Sequence, residues 1–267
     1  MIQILTDPGC GLSSEELSSL GVTILPYVVK HGSKIYLTKN DWDTISKEEQ
    51  LDLFTRGFNP TYSRPSLGEW VPFIDNIFKE GKDILYVAIS QKTSNSISSI
   101  NIISNLVKGQ YPERQIGCVD TKLIGRAQGY LVKKAVELRD QNFSLEEIEK
   151  ELEELKSSIK VVWLPGNIKA FQNCGRGDAS EIENEEKYVA LTCGPNGKFM
   201  PWKTFTTKQE AIDYIKEEFN EYSYLEVSYT VGTEHLPDDF KNLKIFQMPP
   251  FTSSALGIDS QEYTFIK

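Results

Sequence analysis

Residues 84–138 read ILYVAISQKTSNSISSINIISNLVKGQYPERQIGCVDTKLIGRAQGYLVKKAVEL. The apolar run from Ile84 to Ile89 has the length and continuity of a strand buried on both faces. A hydroxyl-rich loop follows, and then a helical pattern from about Ser94 to Val107. Ile116 to Val119 repeats the strand signal, and a second helix is predicted from about Ile124 to Leu138. Strands alternating with helices across short connections imply parallel β-α-β units, right-handed crossovers and a sheet covered on both faces.

The same alternation extends outward. Upstream, Ile2 to Thr6 reads as a strand, the loop DPGCG follows it, and Ser13 with Glu16 has capping-box spacing for a helix start. A second apolar run covers Val22 to Val29, with a hairpin-like HGS turn and Ile35 to Leu37 beyond it. Ser46 and Glu49 repeat the capping spacing, and Leu67, Trp70, Val71, Ile74, Ile77 and Phe78 share one face of a helix predicted over residues 66–78. Ser144 and Glu147 open a further, highly charged helix, and near Ser157 to Lys160 the pattern changes.

Val161 to Leu164 reads as a strand, and Tyr188 to Thr192 and Phe199 to Trp202 flank the hairpin turn GPNG. A helix from about Lys208 to Phe219 and strands near Leu225 to Tyr229 and Ile245 to Met248 complete the pattern. The expected fold class is α/β with two lobes. Residues 1–157 form a parallel-sheet lobe with helices on both faces, residues 158–267 a smaller mixed α/β lobe, and a ligand cleft lies between them.

Composition narrows the function. The chain has 267 residues, 39% of them hydrophobic, and a net charge of −9. Each side of residue 157 is acidic, −4 before it and −5 after, so neither part offers a nucleic-acid backbone or an anionic membrane an electrostatic partner. No window approaches the length of an apolar membrane span, and the opening MIQILTD lacks the pattern of a signal peptide. Cys10, Cys118, Cys174 and Cys193 lack metal-ligand spacing, and with His31 and His235 as the sole histidines no metal centre is expected. A cytoplasmic protein with reduced thiols is the expectation.

Two hydroxyl clusters stand out. Thr61, Tyr62, Ser63 and Ser66 surround Arg64 and Pro65 just before a helix, and Ser90, Thr93, Ser94 and Ser96 follow the strand YVAIS. Loops at the carboxyl ends of parallel strands bind ligands, and helix N-termini attract anions, so the clusters suggest an anion site of hydroxyls and amides. The same hydroxyls also suit plain helix capping. The loop DPGCGLSSE lacks both G-x-x-x-x-G-K-[ST] and a full G-x-G-x-x-G, so no nucleotide cofactor is expected. Asp7 is the best-placed carboxylate for a base or metal, with loop capping as its simpler role, and no G-x-S-x-G elbow supports a serine nucleophile.

At this point the sequence resembles the DegV family of two-lobed bacterial proteins that bind long-chain fatty acids. ILTDPGCGLSSEEL and GVTILPYVV mirror the family opening. TYSRPSLGEW is similar to T-S-Q-P-S, VAISQKTSNSISS to I-S-S-G-L-S-G-T, and CVDTKLIGRAQGYLV to V-[ID]-[DT]-[ST]-K with its following helix. IKAFQNCGRGD resembles L-R-K-G-G-R-I, and FTSSALGI resembles H-T-G-P-G-A-L-G. The resemblance implies a binding protein and not an enzyme. Family members bury the acyl chain, hold the carboxylate near the interlobe cleft, and in some cases present it to a separate fatty acid kinase.

Carried over by position, the family's ligand-holding Thr falls at Tyr62, Ser63 matches, and Arg64 replaces Gln. Ser94 matches the binding serine and Arg176 the motif arginine, while Lys92 and Asn95 replace glycines and Pro250 stands at the motif histidine. The charged DASEIENEE replaces an apolar helix. The expected ligand site is Tyr62, Ser63, Arg64, Thr93, Ser94 and Arg176, with a long-chain fatty acid as ligand and no cofactor. The alternatives are a divergent family member that binds a smaller anionic ligand, favoured by the added Arg64 and Lys92, or no lipid at all, and a transferase or hydrolase built on Ser94.

Overall fold

The computed structural model describes residues 1–31, 34–58, 60–166, 168, 188–233 and 243–267. In chain order the first part contains β1 (Ile2–Thr6), α1 (Ser14–Ser19), β2 (Thr23–Ile24), β3 (Tyr27–His31), β4 (Lys34–Thr38), α2 (Lys47–Thr55) and β5 (Thr61–Ser63). It continues with α3 (Leu67–Lys79), β6 (Asp83–Ala88), α4 (Ser96–Val107), β7 (Ile116–Asp120), α5 (Arg126–Asp140) and α6 (Leu145–Leu155). β1, β2, β6 and β7 form a parallel sheet in the order β2-β1-β6-β7. From Ile84 to Ala88, β6 is buried at every position, which requires cover on both faces of the sheet.

Local chemistry sets the helix starts. Glu16 donates its N–H to Ser13 Oγ at 3.2 Å and its carboxylate accepts the Ser13 N–H at 2.9 Å, and Ser144 with Glu147 repeats the arrangement. The predicted strand from Val22 to Val29 divides in two. Leu25 still donates to Thr6 O at 2.8 Å, but Pro26 has no N–H to continue a ladder, so the chain leaves the parallel sheet there. β3 then joins a separate antiparallel sheet, β4-β3-β5, in which Val28 faces Ser63 and Val29 faces Tyr62.

The second part contains β8 (Ile159–Leu164), β9 (Tyr188–Cys193), β10 (Phe199–Phe205), α7 (Lys208–Glu218), β11 (Tyr224–Tyr229), β12 (Lys244–Gln247), α8 (Pro250–Leu256) and β13 (Gln261–Ile266). These strands form one mixed sheet in the order β10-β9-β8-β13-β11-β12, parallel at β11–β12. Alternation assigns its faces. Val161 and Trp163 of β8 join the core of the parallel sheet, whereas Val162 and Leu164 pack with Ala211 and Ile215 of α7. α8 and the central strand β13 were not anticipated from sequence, since neither shows a clear apolar period.

A buried ionic seam ties the two sheets. Arg126 of α5, 1% exposed, donates to Glu226 of β11 at 2.9 Å and to Glu16 of α1 at 2.8 Å, with its guanidinium 3.7 Å from the Phe246 ring centroid. Lys133 reaches the same Glu226 at 2.6 Å. Glu262 of β13 accepts the Arg126 N–H at 2.7 Å, capping α5 from the other sheet. Gly125, with φ of 73°, leaves room for that carboxylate, because a Cβ there would lie 2.3 Å from it.

Candidate functional site

In a sheet of order β2-β1-β6-β7 the chain reverses direction of travel between β1 and β6, and the crevice at their carboxyl ends is the natural ligand position. Here that crevice is occupied from within. Asp7 is fully buried and accepts hydrogen bonds from Gly9 N at 3.0 Å, Ile89 N at 2.8 Å, Tyr86 Oη at 2.7 Å and Gln128 Nε2 at 3.3 Å. Burial raises its pKa against the effect of these donors. Asp7 therefore clamps the two loops, which is the capping role expected of it.

The open space lies one loop outward, in a cleft of roughly 630 Å³. Tyr62, Ser63, Arg64, Thr93 and Ser94 all line it, so the structure brings together five of the six residues singled out from sequence. Arg176 lies outside the described residues, as do Cys174, His235 and the acidic run 178–186. Apolar surface comes from Leu67, Ile89, Ile102 and Phe251.

Each hydroxyl has a definite position. Thr93 and Ser94 are held in a tight turn, their N–H groups donating to Ser90 O at 2.9 and 3.0 Å. Ser94 does not cap α4, which begins at Ser96, and its hydroxyl shares a 2.7 Å hydrogen bond with Tyr27 Oη. Ser66, by contrast, does belong to a helix start, with its Oγ on the Glu69 carboxylate at 2.9 Å. Ser63 and Arg64 are exposed at the mouth. Arg64 donates to Asn95 O at 3.0 Å and to the Ser99 hydroxyl, which anchors the guanidinium beside the first turn of α4.

Tyr62 behaves differently from a simple hydroxyl ligand. Its ring lines the cleft, but its Oη donates to Pro250 O at 3.1 Å, a carbonyl that also accepts from Gln50 Nε2 at 3.0 Å. Two of the positions that depart from the family motifs, Tyr62 and Pro250, are thus bonded to each other. Phe251 packs edge-on to Tyr62 and Tyr27, with ring centroids 4.6 and 5.6 Å away. Tyr27 and Phe251 were missed from sequence. Tyr27 reaches the site through the β3–β5 pairing, which no local pattern reveals, although the break at Pro26 just before it was visible.

Chemically the cleft offers hydroxyls, a guanidinium and apolar walls. That combination suits a carboxylate-bearing apolar ligand, whose charge needs donors once desolvated. Ser94's partner is a phenol, which is not a base near neutral pH, so a nucleophilic serine gains no support. Among the described residues no group of three or more His, Cys, Asp or Glu is placed to hold a metal ion, and no helix is long and apolar enough to cross a membrane.

The described residues thus form an α/β fold of three sheets, with a cleft of hydroxyls, a guanidinium and apolar walls beside the parallel one. The chain belongs to the DegV family, whose model, described as uncharacterised protein of the DegV family, matches residues 1–178. A DegV domain-containing protein of Listeria monocytogenes is 27% identical over 251 residues, covering 90% of this chain and 85% of the relative. The fold is that of a fatty-acid-binding DegV family protein from Thermus thermophilus, with a TM-score of 0.84 at 22% identity, covering 100% of this chain and 99% of that one. A DegV family protein of Eubacterium eligens loaded with heptadecanoic acid aligns with a TM-score of 0.83 at 13% identity, with both chains covered in full.

Proposed function

We propose that this chain binds a fatty acid, with the carboxylate held in the cleft by Ser63, Thr93, Ser94 and Arg64 and the ring of Tyr62 as a wall. Arg176 is assigned to the same site by its motif position. The observation that carries the reading is the convergence of the 62–64 and 93–94 segments on one cleft with an apolar side. Its volume of roughly 630 Å³ falls in the ordinary range of small-molecule sites. Each methylene removed from water contributes about 0.8 kcal/mol, enough in a long chain to offset ordering and desolvation.

The exposed Ser63 and Arg64 at the mouth would leave the carboxylate end accessible, as presentation to a separate kinase requires. Residues 1–157 and 158–267 are read as two lobes closing on the ligand, and the free thiols of Cys10, Cys118 and Cys193 suit the cytoplasm. A second reading, a smaller carboxylate, is favoured by the engagement of Tyr62 Oη with Pro250 and by its ring packed on Phe251, which narrow the cleft.

Native mass spectrometry of protein purified from a bacterial host, followed by denaturation and analysis of released molecules, tests the proposal. Co-purified fatty acid near one per chain supports it. A folded, empty protein that takes up no added fatty acid overturns it and leaves the smaller anion. Ser94→Ala is expected to weaken binding about tenfold or more, the loss of one hydrogen bond to a charged group, read by titration calorimetry.

A further inference from the structure

A second cleft, of roughly 710 Å³, opens on a different part of the molecule. It lies where the turn after β7 and the end of α6 meet the start of β8, the end of β9, β10 and the end of α7. None of the residues of the acyl site lines it. Its lining combines three ammonium groups, from Lys122, Lys156 and Lys160, with the rings of Trp202, Phe219 and Tyr222.

The charges are not balanced within the cleft. Lys156 is committed to Asp120 O at 2.8 Å and to the Glu153 carboxylate. The other carboxylate of the lining, Glu218, accepts from the Tyr214 phenol at 3.0 Å. Among the described residues the Nζ atoms of Lys122 and Lys160 have neither ion pair nor hydrogen bond, and both side chains are exposed. The half-buried Trp202 likewise finds no acceptor for its indole N–H among them. In a chain of net charge −9, the lining carries three lysines against the carboxylates of Glu153 and Glu218, a small local excess of positive charge beside flat rings.

Lys122 has a further peculiarity. It ends the CVDTK motif, which plays no part in the acyl cleft, and its backbone has φ of 55°, held by the Asp120 carboxylate accepting the Lys122 N–H at 3.0 Å. A non-glycine residue in that region is uncommon.

We propose that this cleft is a second binding site, for a flat aromatic molecule bearing an anionic group, with Lys122 and Lys160 meeting the anion and Trp202, Phe219 and Tyr222 receiving the ring. Lysine ammonium groups supply point-charge contacts to phosphate, carboxylate or sulfonate alike, and the rings supply a large apolar surface at little entropic cost. The site is independent of the acyl reading and stands or falls separately.

The probe is anilinonaphthalene sulfonate, which is flat, aromatic and singly anionic, followed by fluorescence on the full chain. The matched variants are Lys122→Asn with Lys160→Gln, asparagine being chosen because it tolerates the left-handed backbone. With excess heptadecanoic acid present to occupy the acyl cleft, one saturable dye site is expected, with affinity falling as salt rises and the dissociation constant increasing roughly tenfold in the double variant, the scale of two exposed charge contacts. Unsaturable binding, or equal affinity in the double variant, would overturn the proposal. Both lysines are exposed, so the double variant folds, and the salt dependence of the unaltered protein gives a second measurement in any case.

Discussion

Glu262 sits on a central strand of one sheet and caps a helix packed on the other, and its protonation is tied to that position. Burial pushes its carboxyl up to about 7, against the opposing effects of the Ser228 hydroxyl, the Arg126 charge and the N–H groups of Arg126 and Ala127. The folded protein therefore holds this proton more tightly than the unfolded chain, in which the group keeps the usual glutamate value of 4.5. Its contribution to stability is most favourable below pH 4.5 and declines as pH rises through about 7, by an amount on the order of 3 kcal/mol. Glu262→Gln removes the titration. Denaturant midpoints at pH 5, 6, 7 and 8 are expected to show the natural protein losing stability relative to the variant across that range. Parallel curves would contradict the raised carboxyl. Glu226 behaves in the opposite sense: burial raises it, but Arg126 and Lys133 outweigh burial and hold it at about 2, so its stabilisation is lost as pH falls from 4.5 towards 2.

At the scale of elements, a cap and a strand differ greatly in consequence. Ser144 accepts the Glu147 N–H at 3.3 Å at the start of α6, and Ser144→Ala is expected to cost about 1 kcal/mol, visible as a small fall in Tm. β13 pairs with β8 on one side and β11 on the other, with six residue pairs to each. Removing residues 261–267 divides the mixed sheet, leaves the Arg126 and Ala127 N–H groups and the Ser228 hydroxyl without Glu262, and takes Tyr263 and Phe265 out of the core. Such a truncation is expected to yield no cooperative thermal transition by circular dichroism, and a sharp transition would show that the sheet survives without its centre. The hairpin β9–β10 matters in another way. Its Gly197 carbonyl accepts from Ser90 Oγ at 2.7 Å, so a turn of the mixed sheet holds the loop that carries Thr93 and Ser94.

At the scale of the molecule, Arg126 joins the two sheets through Glu16, Glu226 and Phe246, while the apolar core runs unbroken from the parallel sheet to Trp163, Phe199 and Phe251. Arg126→Ala takes from Glu226, 1% exposed, one of its two cationic partners, and removing one partner of a buried pair costs about 3–5 kcal/mol. The urea midpoint is expected to fall accordingly, and a change below about 1 kcal/mol would show that Lys133 and water compensate. Arg126→Met, which fills the same volume without charge, is expected to recover little, because the Glu226 carboxylate stays buried.

The elements legible in sequence were those made by local rules. Period and capping set the alternation of strands and helices from Ile84 to Leu138, the helix starts at Ser13 and Ser144, and the GPNG hairpin, because each depends on residues a few positions apart. The hydroxyls and Arg64 of the cleft were legible as two clusters beside helix starts, since loops after parallel strands collect ligand groups. Tertiary structure alone decided the rest. Pro26 sends β3 to a different sheet and so carries Tyr27 to Ser94, Tyr62 turns its hydroxyl to Pro250, and β13 is central because its polar residues Glu262 and Thr264 face the buried end of α5 and not solvent. These depend on which distant segments meet, and the free energy of such pairings resides in the contact between segments and not in either segment's own pattern.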